Sequence, residues 1–547
     1  MLSMTNALGL AITAAAAALV YFLVKLRAKR QFYCDLPKPP HSFFWGHLKL
    51  MGEYMDKAAP GNYLQAPLTQ MKFDYDLPDI WYLDLWPLGP EMLICTTGDA
   101  AAVATTVTTF PQAPIVIEFL NETLGGSFIE STNGSLWKEL HHMLAPGLTP
   151  NAVRSYHQLI VDEAKLFHKR LHNFATKGNP FNLHLELGKF PFEVIWQVFF
   201  GENLNTQVRG SQIYDDSVRL NDVAGITMNA KNPITKWQAA RERAMLIKRL
   251  DVEADKRLRA RFVALRESKT LPTRTTATTL LDRMLLSHVQ NGQPLDEQLI
   301  KLIKEKYVFP TSRGTDADFP SAKGFLVAGS GTTADMSSYA IMLLSNYPDA
   351  LRKLREEHDH VFGKEFDGTV ERLLQDSSSI KGLEYTDAVI QETMRLFPVG
   401  MLCRGLPEGQ TTFDYKGKAY PIENHQLTLL SYAMHYDPSN FEDPQEFKPE
   451  RFLGPEPAHS RNSYRPFERG LRSCIGQHLA MDEMRVLLIL TARWFDFELR
   501  DHNPSKQPRM SHTKMDTILG NHGFQSMRFT AGPTGPVTMK VTRVNRA

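Results

Sequence analysis

A chain of 547 residues with 43% hydrophobic and 22% charged side chains has ordinary globular composition and enough length to bury a large core. Its net charge of +2 gives no reason to expect a nucleic-acid partner. Four scattered cysteines, Cys34, Cys95, Cys403 and Cys474, have neither the density of a disulfide scaffold nor CxxC spacing. They point to a reducing compartment, with at most one cysteine carrying chemistry.

The first expected element is a membrane span. Residues Ala7 to Val24 carry no charge and are rich in Ala, Leu, Ile and Val, close to the minimum needed to cross a bilayer. Lys25, Arg27, Lys29 and Arg30 follow at once, which orients everything after them toward the cytoplasm. Residues 1–6 lack the basic side chains that open a cleaved signal. Pro37-Lys38-Pro39-Pro40 then forms a stiff, extended hinge. The expected layout is a membrane anchor over 1–30 and a catalytic body over 31–547.

Most of the body reads as helix. Apolar positions recur at helical spacing over 152–175, 236–266 and 348–362. Strand-like runs are short: Trp81–Leu85, Met92–Thr97 and Val537–Val544. Pro407 to Pro455 is rich in Pro and Asp and reads as an irregular ordered loop. The expected fold class is mainly α with small β-sheets at one side. Residues 307–320, with Pro at 310 and 320, form an unusually long loop for a compact domain. They read either as a functional surface loop or as a retained intron, since Lys306-Tyr307-Val308 can be encoded through GTATGT, a common fungal splice donor.

The chemistry concentrates in Phe467-Glu-Arg-Gly470-Leu-Arg472-Ser-Cys474-Ile-Gly476. The five fixed positions F-x-x-G-x-R-x-C-x-G occur by chance on the order of 10⁻⁴ times in a chain of this composition. Each suits a thiolate–iron site. Cys474 supplies a sulfur that pushes electron density onto iron. Gly470 and Gly476 allow close backbone approach to a macrocycle, and backbone N–H groups tune the sulfur. Arg472 can pair with a haem propionate, and Phe467 shields the sulfur from water.

On these residues the chain resembles the cytochrome P-450 family, and the remaining landmarks follow in order over residues 35–510. Glu392-Thr-Met-Arg395 matches its E-x-x-R, and Pro449-Glu450-Arg451-Phe452 its P-E-R-F. The resemblance implies a buried charge network of Glu392, Arg395 and Arg451. His435-Tyr-Asp437-Pro438, with Phe441 and Phe447, keeps the family's spacing, and Arg404 looks like a second propionate partner. Ala328-Gly329-Ser330-Gly331-Thr332-Thr333 resembles the oxygen-activating segment, with Thr332 and Thr333 as its catalytic hydroxyls. Gly331 stands where the family usually has an acid, which removes the ordinary acid–alcohol relay. Trp137 resembles the start of W-x-x-x-R, with His141 at the Arg position, both expected against a propionate.

The resemblance implies the cytochrome P-450 fold behind an N-terminal transmembrane helix, haem b ligated by Cys474, and a single-pass endoplasmic reticulum protein with a cytoplasmic catalytic domain. It implies insertion of one oxygen atom into a lipophilic small molecule, a secondary metabolite in the style of fungal members. Electrons would come from an NADPH-cytochrome P-450 reductase, with Arg461, Arg465, Arg469 and Lys138 as a basic docking face. The competing readings are a haem-thiolate isomerase or dehydratase needing no external electrons, for which Gly331 speaks, and an inactive chain carrying an intron.

Overall fold

The computed structural model describes residues 4–126, 128–273, 276–292, 320–422, 424–454 and 459–545. The 307–320 segment lies outside them except for Pro320, the first residue of the central helix.

The apolar N-terminus forms one helix, Met4–Phe32. Among the described residues it is the one helix long and apolar enough to cross a membrane; its apolar stretch is exposed, with only Phe22 near its end stacking on Trp86 at 5.4 Å. The helix runs on through the basic flank to Phe32. Leu26, Arg30 and Tyr33 are buried against the body. Arg30 pairs with buried Asp84, and Lys29 meets Glu91 at 2.6 Å. Burial alone would raise the Asp84 pKa, but His41 and Arg30 outweigh it and hold it below the usual range.

The expected helices appear with small shifts. The pattern over 152–175 divides at Tyr156 into Pro150–Ser155 and His157–Lys177. The others are Pro233–Glu267 and Pro348–Phe362. The two early strands, Ile80–Asp84 and Glu91–Cys95, pair antiparallel. Gln426–Leu429 joins parallel to the second of them, and Leu402–Arg404 closes the sheet's other edge. Thus 407–455 is not one irregular loop. Its first half holds a hairpin, Thr412–Tyr415 with Lys418–Pro421, and that parallel sheet strand. Only the part after the short helix Ser431–His435 is irregular, with one 3-10 turn at Pro449–Phe452.

The central helix, Pro320–Asn346, is hydrophobic almost all round, the mark of a helix enclosed by others. Leu183–Phe200 and Gln477–Leu490 pack on it, and Tyr339, Met342, Trp196 and Leu487 belong to the same core cluster. Gln477–Leu490 begins just after Cys474 and packs on the central helix, so the cysteine turn and residues 328–333 are tied by one short helix.

Candidate active site

The cysteine turn is closed by backbone hydrogen bonds. The Cys474 N–H donates to the Phe467 carbonyl at 2.9 Å and the Ser473 N–H to the Gly470 carbonyl at 3.1 Å. Gly470 takes φ +85°, and a methyl group there would collide with the Thr105 carbonyl. The neighbouring protein backbone by itself therefore requires glycine there. At Gly476 a Cβ would stand 3.8 Å from the sulfur, so the protein alone does not demand glycine there. Burial pushes the Cys474 thiol up to about 11, against the N–H groups of Gly476 and Gln477, which stabilise the thiolate. Cys474 lies deep among protein atoms, yet its side chain keeps an accessible face, as a metal ligand requires.

Beside it two arginines converge. Arg404, at the sheet edge, donates to Gln112 Oε1 at 3.0 Å and stands 4.0 Å from Glu130. Arg472 donates to the Thr132 carbonyl, and its guanidinium lies 4.9 Å from the Trp137 ring centre. Burial and then the charge of Arg404, against Glu130, bring Arg472 down to about 10. Arg404 Nε and Arg472 Nη1 are buried without a protein acceptor. Buried donors on two like charges call for anions. A group bearing two carboxylates beside a thiolate-bound metal, as haem does, fits these residues. Trp137 is sandwiched between Arg472 and His141, whose ring lies 4.9 Å from its own. Burial, then His142 and Arg472, hold His141 below its usual pKa.

Glu392, Arg395 and Arg451 are brought together as a buried network. Arg395 donates to both Glu392 oxygens at 2.7 and 2.8 Å, and to the carbonyls of His435, Pro444 and Glu446. Arg451 reaches Glu392 at 3.1 Å. His435 links this network to the cysteine turn. Its Nδ1 donates to the Arg395 carbonyl at 3.1 Å and its Nε2 accepts the Arg465 N–H at 3.0 Å. Burial and then Arg395 push its pKa down to about 3, which fixes the neutral ring those two bonds require. Arg465 is itself buried, held by Glu468 at 2.7 Å and by Thr105. It therefore leaves the expected basic docking face.

On the central helix, the Thr332 hydroxyl donates to the Ala328 carbonyl at 2.8 Å and that of Thr333 to Gly329 at 3.2 Å. Thr333 also meets Glu483, whose carboxyl is driven far above the usual range by burial. Sequence reasoning missed Glu483. The available signal was an acid on the buried stripe of its helix, four residues from Leu479 and Leu487. Gly331 carries no acid, and a Cβ there would stand 3.2 Å from Thr530 Cγ2.

Comparison with known proteins agrees. The family model described as Cytochrome P450 matches residues 82–308 and 319–523, and the break between them falls inside the 307–320 segment. Cytochrome P450 monooxygenase acrF of Aspergillus aculeatus is 28% identical over 89% of this chain and 98% of its own length. Cytochrome P450 monooxygenase polC of Polytolypa hystricis is 27% identical, covering 95% of this chain and 92% of its own. The crystal structure of the cytochrome P450DA heme domain superposes with a TM-score of 0.70 over 93% of this chain and 97% of that one. At 18% identity it speaks for the fold alone. Both relatives are named monooxygenases, which does not favour the isomerase reading.

Proposed function

The chain belongs to the cytochrome P450 family, and with it to oxidoreductases that carry a cysteine-ligated haem and serve a redox partner and a lipophilic substrate; on that premise we propose a monooxygenase of secondary metabolism, anchored in the endoplasmic reticulum membrane by residues 1–30 and fed electrons by NADPH-cytochrome P-450 reductase. Residues 31–547 form the haem domain, with 307–320 as an insertion in it. The observation that carries this reading is Cys474, deep in the fold yet accessible, with the N–H groups of Gly476 and Gln477 on its sulfur.

Haem bound there supplies reductive activation of dioxygen. The chain's own residues do the rest. Cys474 ligates the iron, and its two N–H donors temper the thiolate's basicity. Phe467 closes the turn, while Arg404 and Arg472 hold the propionates through the donors they leave free. Trp137 and His141 form the flat wall under Arg472. Thr332 holds water beside the oxygen-binding face, and Thr333 keeps the buried Glu483 carboxyl oriented.

The test is the reduced carbon-monoxide difference spectrum. Wild type should show the red-shifted Soret band, and Cys474→His should lose it together with activity, because imidazole lacks the thiolate's push. Identical spectra would remove Cys474 from the site. Metabolite profiling of a strain lacking the chain identifies the substrate. Sequencing the mature transcript across residues 307–320 decides whether that segment is coded.

A further inference from the structure

The acid absent at residue 331 has a counterpart one helical turn later. Asp335 follows Gly331 by four residues, so the two share a face of the central helix about 6 Å apart along its axis. Asp335 is fully buried, and its Oδ1 meets His184 Nε2 at 2.7 Å. Its Oδ2 has no partner among the described residues. The backbone of Gly532 lies so close that any other residue there would collide with the carboxylate.

His184 opens on a cavity of about 30 Å³, which it lines with Ser330, Gly331, Asn221, Tyr214 and Arg528; such a volume takes about two water molecules. A side chain at 331 would point to Thr530 and Asn221, on the same side. Among the described residues three ionisable groups line this cavity, and two of them are committed elsewhere. Arg528 is a permanent cation beside Asp222, 3.6 Å away. Tyr214 donates to the Leu185 carbonyl at 2.7 Å, and burial raises its pKa beyond physiological reach. Asn221 spends its amide on Phe529 and Thr530. That leaves His184, whose side chain is 15% exposed and so reaches solvent as well as the cavity.

We propose that His184 and Asp335 are the proton relay of this chain, passing protons from solvent through cavity water to the groove at Gly331 and Thr332. This rests on the monooxygenase reading above. In each cycle cationic His184 gives one ring proton to cavity water, the water passes one proton on toward Thr332, and His184 regains one from bulk solvent. Asp335 orients the ring through its contact with Nε2. No electrons move through the pair. Gly331 then contributes by what it lacks, since a side chain there would crowd the water it faces.

The ordinary alternative is that His184 and Asp335 merely tie two helices together, and three measurements on the holoenzyme separate the two. With NADPH and reductase but no substrate, His184→Gln and Asp335→Asn should raise severalfold the share of consumed oxygen released as peroxide rather than water, at unchanged haem content. Adding Gly331→Asp with Thr530→Ala, which removes the methyl that an acid at 331 would strike, should return that share toward wild type in Asp335→Asn. A structural tie would not be rescued in this way. Independently of turnover, the His184 ring N–H in the ferrous carbon-monoxide form of the ¹⁵N-histidine-labelled protein should exchange rapidly with water by NMR. Slow exchange, or an unchanged peroxide share beside a normal carbon-monoxide spectrum, would overturn the relay alone. Absence of that spectrum in wild type would overturn the monooxygenase reading itself.

Discussion

The two sides of the site are built on opposite rules. Behind the cysteine turn, polar groups are saturated. Arg395 uses its guanidinium on both Glu392 oxygens and three carbonyls, and Glu392 also accepts from Arg451 and the Lys448 N–H. On the central helix, Ser330, Thr332 and Thr333 bond only their own preceding turn or one acid. There Asp335 Oδ2 and Glu483 Oε1 are buried without a partner among the described residues. A saturated network has one arrangement and fixes a ligand in place. Groups with spare donors and acceptors can exchange partners with water, as proton delivery requires.

The contrast is broken most severely at Glu392. Glu392→Ala leaves Arg395 and Arg451 buried without their carboxylate, at a cost of roughly 3–5 kcal/mol. The expected outcome is little haem-loaded protein, read from the carbon-monoxide band per mole of chain and from the Tm. A variant with normal haem content and Tm would show that this side is not held by its charges.

The anchor junction follows the saturated rule, which sets the next effect. Removing residues 1–24 takes away exposed apolar helix and one contact with the body, the Phe22 ring on Trp86, and should release the body from membranes with its Tm little changed. Removing 1–30 also deletes Arg30, leaving buried Asp84 with His41 and the Trp86 N–H but without its guanidinium. That truncation should lose about 3 kcal/mol, near the lower end for a broken buried pair. Equal Tm values for the two truncations would mean that the last helical turns do not belong to the body.

These regions also differ in how far they could be read from sequence. Cys474, Glu392, Arg395 and Arg451 were legible because a thiolate–iron turn and its scaffold fix residue types at short spacings. Secondary structure followed where periodicity was strong, as in 348–362. The hairpin within 407–455 stayed hidden because its strands are only four residues long and flanked by Pro and Asp. Arg465 reads as a surface charge until Glu468 folds back on it. Asp335 and His184 stand 151 positions apart, and no local pattern joins them. Glu483 was visible only as an acid on an apolar stripe.

A smaller effect sharpens the link between scaffold and turn. His435 stays neutral in the fold down to about pH 3, whereas an unfolded histidine binds its proton near pH 6.5. Between those values the unfolded state holds the extra proton, so this residue lowers stability as pH falls, by about 1.4 kcal/mol per pH unit. The His435→Gln variant should be less stable at pH 7, where the Arg395 and Arg465 bonds are lost. Its deficit against wild type should narrow by that slope on acidification, as measured by urea midpoints at pH 7 and 5.5. A constant deficit would mean that His435 is protonated in the fold.

The smallest effect on the fold, and the most specific to chemistry, belongs to Thr332. Its hydroxyl gives its proton to the Ala328 carbonyl and so presents lone pairs to water, the right polarity to hold a proton donor. Thr332→Ala removes that acceptor while the carbonyl keeps its helical bond, so stability should change by less than about 0.5 kcal/mol. Product formed per NADPH consumed should fall severalfold, and peroxide release should rise. Thr333→Ala is the control. It strips the buried Glu483, whose carboxyl burial holds well above the usual range, of one hydrogen bond, so the cost should stay near 1 kcal/mol. If the two alanine variants uncouple equally, the groove works as a whole and the hydroxyls are not separable. If Thr332→Ala keeps the wild-type yield, delivery bypasses residue 332. Turnover of an organic peroxide without NADPH would instead favour the isomerase, which needs no such groove.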